Sequence, residues 1–243
     1  YFALTNEATL DKAPVQARKA VENPDGVDLS GVTGYTVNYS YPASTTWAAG
    51  SGTLTLPADG TVVVSDELPV GAELTFSEVV PAAVPGSTWD APVISPSTLT
   101  VGADAEAVVE VTNRITKDLG AFSIQKTLSG DGAGLVPEGT EFEVEWSHPA
   151  GPGYEAGSGT VTVVAGGDPV RVEGLPAGAE ITLTEAAPAP VTGGEWLDPV
   201  FSQSTFTIIQ AQTLSIELDN PILLGDGDFQ IRKALEGTGA EQD

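Results

Sequence analysis

Apolar and polar residues alternate with a period of two along much of this chain. That is the signature of strands with one face in a core and the other in water. Tyr35-Thr36-Val37-Asn38-Tyr39-Ser40-Tyr41 alternates cleanly, as do Phe142-Glu143-Val144-Glu145-Trp146 and Leu214-Ser215-Ile216-Glu217-Leu218. Shorter runs at 61–64, 74–76, 108–111, 160–164, 181–183 and 206–209 are separated by Gly, Pro and Asp turn signals. No stretch carries helical periodicity. The pattern predicts an all-β chain of about seven short strands per domain, arranged as immunoglobulin-like β-sandwiches.

The chain also matches itself when shifted by 107 positions, without a gap. Gly50-Ser51-Gly52-Thr53 falls on Gly157-Ser158-Gly159-Thr160, and Leu68-Pro69-Val70-Gly71-Ala72-Glu73 falls on Leu175-Pro176-Ala177-Gly178-Ala179-Glu180. Trp89 falls on Trp196, Pro92 on Pro199, and Tyr35-Val37-Tyr39 on Phe142-Val144-Trp146. Phe2-Leu4-Asn6 matches the end of a repeat, and Phe229-Ile231-Lys233 matches the start of one. The expected organisation is a last-strand remnant at 1–8, whole sandwich repeats at 9–116 and 117–223, and a first-strand fragment at 224–243. Residues 7–14, 114–121 and 221–228 read as short linkers, which predicts sandwiches set end to end in a semi-rigid rod.

Three polar residues keep their place in this register. Lys19, Lys126 and Lys233 are spaced by 107, as are Glu78 and Glu185, and Asn6, Asn113 and Asn220. Each whole repeat places them in phase with apolar neighbours: Val15-Ala17-Lys19, Leu74-Phe76-Glu78 and Val109-Val111-Asn113, then Phe122-Ile124-Lys126, Ile181-Leu183-Glu185 and Leu214-Ile216-Leu218-Asn220. A cation, an acid and an amide are thus expected in the core, where they must pair or neutralise. Desolvation favours a neutral amine, which is a nucleophile, and a neutral carboxylic acid, which can polarise a carbonyl and carry protons. Attack of Lys Nζ on Asn Cγ would expel ammonia and leave an amide cross-link. The alternative for the same residues is a buried hydrogen-bonded salt-bridge network without covalent chemistry. Asn6 and Lys233 belong to incomplete triads.

The segments Phe122-Ser123-Ile124-Gln125-Lys126-Thr127-Leu128, Ile181-Thr182-Leu183-Thr184-Glu185-Ala186-Ala187-Pro188 and Glu217-Leu218-Asp219-Asn220-Pro221 resemble three signature segments of Cna B-type domains. Those domains build the stalks of Gram-positive adhesins and pilins. Leu74-Thr75-Phe76-Ser77-Glu78-Val79-Val80-Pro81 and Val111-Thr112-Asn113 are similar to the same pattern, and the alanine- and glycine-rich surface repeats of actinobacteria resemble the chain most. The resemblance covers nearly the whole chain. It implies Lys19 and Lys126 as nucleophiles, Asn113 and Asn220 as electrophiles, and Glu78 and Glu185 as catalysts of isopeptide formation. One departure is Ala17-Arg18-Lys19-Ala20 where the second repeat has Ile124-Gln125-Lys126-Thr127, a less bulky surround for the first lysine.

Composition narrows the function classes. The chain has 243 residues, 34 acidic against 9 basic, for a net charge of -25. So negative a surface disfavours nucleic acid and anionic membranes as partners. Cysteine is absent, which excludes disulfides, thiolate metal sites and thiol catalysis. Methionine is absent too, and no apolar run reaches the ~18 residues of a membrane span, so the sequence reads as the interior of a longer secreted protein. His148, the single histidine, stands beside Pro149 in an expected turn. Asp226-Gly227-Asp228 could help bind calcium or be a solvated turn. Tyr35, Tyr39 and Tyr41 could stack a sugar, although Phe142 and Trp146 in the same phase point to core packing. Leu68-Pro69-Val70-Gly71 superficially resembles a sorting signal but is internal and repeated, hence a turn.

The expected function is a non-enzymatic stalk or spacer of an extracellular, wall-attached surface protein. No cofactor and no metal is expected. Its partners would be neighbouring repeats of the same chain, with any host ligand held by a tip domain elsewhere. The rival expectation is an adhesin module that itself recognises a host glycan or protein.

Overall fold

A computed structural model describes residues 9–104, 107–225 and 231–232. Among them there is no α-helix, only strands and one 3-10 turn at Ala133–Leu135, so no helix is long and apolar enough to cross a membrane. The chain divides into two units, the first running to Asp118 with Pro152–Tyr154, the second from Leu119 onward.

The first unit holds β1 (Lys12–Ala13), β2 (Gln16–Glu22), β3 (Tyr35–Tyr41), β4 (Gly50–Leu56), β5 (Val63–Val64), β6 (Leu68–Pro69), β7 (Glu73–Glu78), β8 (Ser87–Trp89), β9 (Val93–Ser95), β10 (Thr98–Thr100) and β11 (Val108–Lys117). One sheet has the order β10-β7-β3-β4 and the other β5-β2-β11-β8, with β9 also pairing β11. The inward rows of both sheets meet in a core where Ala17, Val37, Leu56, Leu74, Val109 and Val111 are fully buried.

The second unit repeats the plan with β12 (Leu119–Ser129), β13 (Glu141–His148), β14 (Gly157–Val164), β15 (Val170–Pro176), β16 (Glu180–Glu185), β17 (Gly194–Trp196), β18 (Val200–Phe201), β19 (Thr205–Thr207) and β20 (Thr213–Leu224). Its sheets run β15-β12-β20-β17 and β14-β13-β16-β19. Phe122, Ile124, Val144, Ile181 and Leu218 are fully buried between them, and Phe122 meets Phe206 edge to face with ring centroids 5.4 Å apart.

In both units the first long strand and the last lie side by side and parallel, β2 with β11 and β12 with β20. Among the described residues every other pairing is antiparallel. A parallel pair cannot be closed by a hairpin, so the whole sandwich forms the crossover. This pairing brings the two ends of each repeat together.

The repeated Gly-Ser-Gly-Thr motif has a packing cause. Gly52 is the register partner of Tyr39, and Gly159 that of Trp146. A Cβ on Gly52 would land in the Tyr39 ring, and one on Gly159 would lie 2.7 Å from Trp146 Cζ2. The rings lie flat over the edge strand and leave no room for a side chain. The Leu-Pro-x-Gly segments are half turn: Leu68-Pro69 and Leu175-Pro176 are strand, and the turn falls on the following pair, with Gly71 at φ 91 and Gly178 at φ 85.

Three expectations are corrected. Residues 114–117 and 119–121 are strand, not linker, because Asn113 and Ile115 carry the inward alternation of β11 onward, while Leu119 and Gly120 pair with Pro176 and Leu175 of β15 and Ala121 with Thr213 of β20. Likewise 221–224 continue β20 through Pro221, whose carbonyl still accepts from Leu197 N at 3.0 Å. The self-match is not gapless everywhere. Lys117 N donates to Asp25 in one unit and its counterpart Leu224 N donates to Asp131 in the other, so the loop after the first long strand slides by one residue. His148 closes β13 rather than sitting in a turn. It is buried, stacks on Trp146 at 6.2 Å and shares a hydrogen bond with the Pro149 carbonyl through Nδ1.

Candidate functional site

Lys19 lies on β2 with its register partner Val111, and Asn113 lies two residues further along β11. An extended lysine side chain spans that two-residue offset, since both side chains point inward from adjacent strands. The Lys19 ammonium donates to the Val111 carbonyl at 3.1 Å and to Asn113 Oδ1. Glu78 ends β7 in the facing sheet, and its Oε1 lies 3.2 Å from Lys19 Nζ, with both side chains wholly shielded from solvent.

The second unit places the same three residues at equivalent positions. Lys126 is paired with Leu218, Asn220 follows two residues later, and Glu185 Oε1 lies 3.2 Å from Lys126 Nζ. Here too both charged side chains are fully buried. All three residues expected from phase and register are therefore buried in each unit, with the lysine against the glutamate in both and against the asparagine in the first. Asn6 and Lys233 lie outside the described residues, as does Asp226-Gly227-Asp228. Ile231, beside Lys233, is described and exposed, with no strand assigned.

Burial dominates the electrostatics. Desolvation pushes the Lys19 amine below its ordinary value, and the Glu78 carboxylate partly opposes the fall. Lys126 is lowered in the same way, opposed by Glu185 and by Asp219. Several polar atoms have no hydrogen-bond partner: both carboxyl oxygens of Glu78 and Glu185, Asn113 Nδ2, Asn220 Oδ1 and Lys126 Nζ. The glutamates thus sit at ion-pair distance without hydrogen-bond alignment. Asn113 Nδ2 and Asn220 Oδ1 have no ionic partner either, and each such buried orphan destabilises the fold by about 1–3 kcal/mol.

Four aromatic residues that the sequence reading assigned to the core or to the register enclose the two sites. The Tyr35 ring lies 4.5 Å from Lys19 Nζ, and the Phe142 ring 4.6 Å from Lys126 Nζ. Each ring is held edge to face by a tryptophan, Trp89 at 5.9 Å and 87° and Trp196 at 5.9 Å and 90°. The indole nitrogens are anchored on the carbonyls of Ala82 at 3.0 Å and Ala189 at 2.9 Å. The signal for this enclosure was present, because all four residues share the spacing of 107. Buried as they are, Tyr35 and Tyr39 present no stacking platform to a sugar, and Tyr41 is half-buried.

No curated protein matches the sequence. Among solved structures, the major pilin from Streptococcus pyogenes is 10% identical over 89% of this chain and 100% of its own, with a TM-score of 0.35. A second Streptococcus pyogenes major pilin, T3.2, is 12% identical over 89% and 99%, at 0.34. The Bacillus anthracis TIE protein is 15% identical over 87% of this chain and 34% of its own, at 0.39. The family described as a domain of unknown function, DUF5979, matches twice, over residues 15–116 and 122–222, so that each match takes in one lysine, one glutamate and one asparagine of the buried triads; the chain belongs to that family.

Proposed function

We propose that each unit closes an intramolecular amide, Lys19 to Asn113 and Lys126 to Asn220, and that the chain is a covalently braced structural segment of an extracellular surface stalk. The observation that carries this reading is the contact of a desolvated lysine with an asparagine amide beside a fully buried carboxyl in the first unit, with a buried lysine, carboxyl and asparagine at the equivalent positions of the second. In the reaction the neutral Lys Nζ attacks Asn Cγ, a C–N bond forms, and the Asn Cγ–Nδ2 bond breaks. Glu78 or Glu185 takes a proton from the attacking nitrogen and delivers one to the departing nitrogen, so the products are a secondary amide and one ammonia. Closure of the core holds the groups in contact and supplies most of the acceleration. The new amide offers its N–H to the carboxyl that now lacks a partner, which favours this reading over a permanent buried ion pair.

The bond would close a loop of 94 residues. By the chain-entropy argument for cross-links, this stabilises each unit by about 4–5 kcal/mol. Tension entering at the first long strand and leaving at the last would pass through the amide instead of the hydrogen-bonded ladders. That property, rather than turnover of any substrate, is the proposed function. It extends the Cna B-type resemblance to a wall-attached location, with neighbouring repeats as partners and any host ligand bound elsewhere.

The test is the intact mass of the denatured chain beside Glu78→Ala, Glu185→Ala and the double variant. Two bonds remove two ammonias, about 34 Da in all, falling to one and then none through the variants. A full mass in the unsubstituted chain would refute the covalent reading.

A further inference from the structure

The cross-linking residues need one strand register. Lys126 is paired with Leu218, while Asn220 stands opposite Leu128, so the amine reaches the amide only across a two-residue offset. A slip of β20 by one residue would turn Asn220 out of the core, and a slip of two would move it about 6.6 Å along the strand. Parallel pairs are less stable per residue than antiparallel ones and have no hairpin to set their register.

On the outer face of this pair, Asp219 immediately precedes the reacting asparagine. Its Oδ1 accepts a hydrogen bond from Thr127 Oγ1 at 2.9 Å and its Oδ2 one from Ser129 Oγ at 2.5 Å. The two hydroxyls stand one and three residues after Lys126, on the strand that carries the nucleophile. The carboxylate thus bridges two successive outward positions of β12 from the point where β20 presents Asn220. The first unit has Ala20, Glu22 and Thr112 at the equivalent positions. Its outer clamp lies on the other side of the lysine, where Arg18 Nε donates to Glu110 at 2.8 Å, a pair directly opposite in register.

We infer that Asp219 is a positioning residue for the Lys126–Asn220 coupling: through Thr127 and Ser129 it locks β20 at the register that presents the asparagine amide to the lysine. This inference rests on the covalent reading above. Asp219 acts through the strand and touches no reacting atom. It also places a second negative charge near Lys126 besides Glu185, which works against the lowering of the amine's pKa. Positioning and charge therefore act in opposite directions and can be separated by experiment.

The full chain is made by cell-free synthesis, quenched in denaturant at intervals, and digested to quantify the Lys126–Asn220 and Lys19–Asn113 cross-linked peptides. The first unit serves as the control within each molecule. Asp219→Ala is expected to slow closure in the second unit about tenfold or more, since small misplacements of reacting groups carry losses of that order, and to leave the first unit unchanged. The paired substitution Thr127→Val with Ser129→Ala, which keeps the carboxylate, is expected to slow it alike. Asp219→Asn keeps an acceptor without the charge; it should recover most of the rate and move the pH profile toward lower pH, because only Glu185 then opposes the fall of the lysine pKa. Unchanged closure in the Ala variant and in the hydroxyl-free variant would overturn the inference, as would equal slowing of both units. Absence of both cross-linked peptides from the unsubstituted chain would instead sink the covalent reading itself. In that case the positioning role falls with it.

Discussion

Lys19 and Lys126 occupy the same place in two sandwiches, each 3.2 Å from a buried glutamate and under an aromatic ring, yet their surroundings differ in three particulars. The first lysine hydrogen-bonds Val111 and Asn113, whereas the second has only the ion pair. The ring over the first is a tyrosine whose hydroxyl is buried without a partner, and over the second a phenylalanine. The outer clamp is Arg18–Glu110 in one unit and Asp219 with two hydroxyls in the other. What is shared is the buried lysine, glutamate and asparagine, their enclosure and the strand offset. What varies is the means of holding the strands there, so the two units agree more closely in the core than on the face in water.

The largest expected effect would break the equivalence of the two sites. On the proposed covalent reading, Asn113→Ala and Asn220→Ala each remove one cross-link and should each lower the stability of their own unit by about 4–5 kcal/mol, measured by denaturant unfolding. A loss in one unit only would show that the two sites do not both close. Trp89→Ala and Trp196→Ala come next, at about 2–4 kcal/mol, because each removes the edge-to-face support of the ring over the lysine and leaves a cavity. Equal losses would show that the enclosure is one device used twice.

A pH titration sharpens the comparison further. In Asn113→Ala and Asn220→Ala the lysine stays buried and titratable, with a folded-state pKa below the 10.5 of the unfolded chain. Between those two values the unfolded chain binds more protons, so stability should rise with pH through that window, by about 1.4 kcal/mol for each unit separating them. The cross-linked chain has no buried lysine amine left to titrate at these two sites and should lack this rise; its presence there would argue against closure. A smaller effect is expected from Tyr35→Phe, which removes an unpartnered buried hydroxyl and should stabilise the first unit by about 1 kcal/mol, with Phe142→Tyr doing the reverse in the second. The smallest is Arg18→Ala, at about 0.5 kcal/mol, since its ion pair with Glu110 is exposed.

Much of this was legible in the sequence because strands hide nothing about phase. Lys126 continues the row of Phe122 and Ile124, and Glu185 that of Ile181 and Leu183, so burial of the polar residues followed from alternation alone. The contact between them followed from cost, since isolated charges do not persist in a core. Other features were masked by competing signals. Pro221 read as the end of a strand, but a proline is tolerated where its missing N–H is not needed by the ladder. His148 was assigned to a turn on the strength of Pro149, although it completes the inward row of Phe142, Val144 and Trp146. The Asp219 bridge could not be foreseen, because outward polar residues on a strand carry no sign of which neighbours they face. That depends on pairing partners some ninety residues away, and sequence periodicity does not encode pairing.

The last strand of each unit does not sit at a sheet edge. β11 lies between β2 and β8, and β20 between β12 and β17, so in each sheet a central place stays empty until the final residues of the repeat have been synthesised. Such non-local closure is slow and cannot begin early. On the proposed covalent reading the order of synthesis acts as a timer: a lysine made first must wait for an asparagine made 94 residues later, and a partial repeat exposes an open slot between two strands. A chain threaded through an export channel unfolded would carry its reactive groups apart and harmless. Closure would then mark the completion of each repeat in turn.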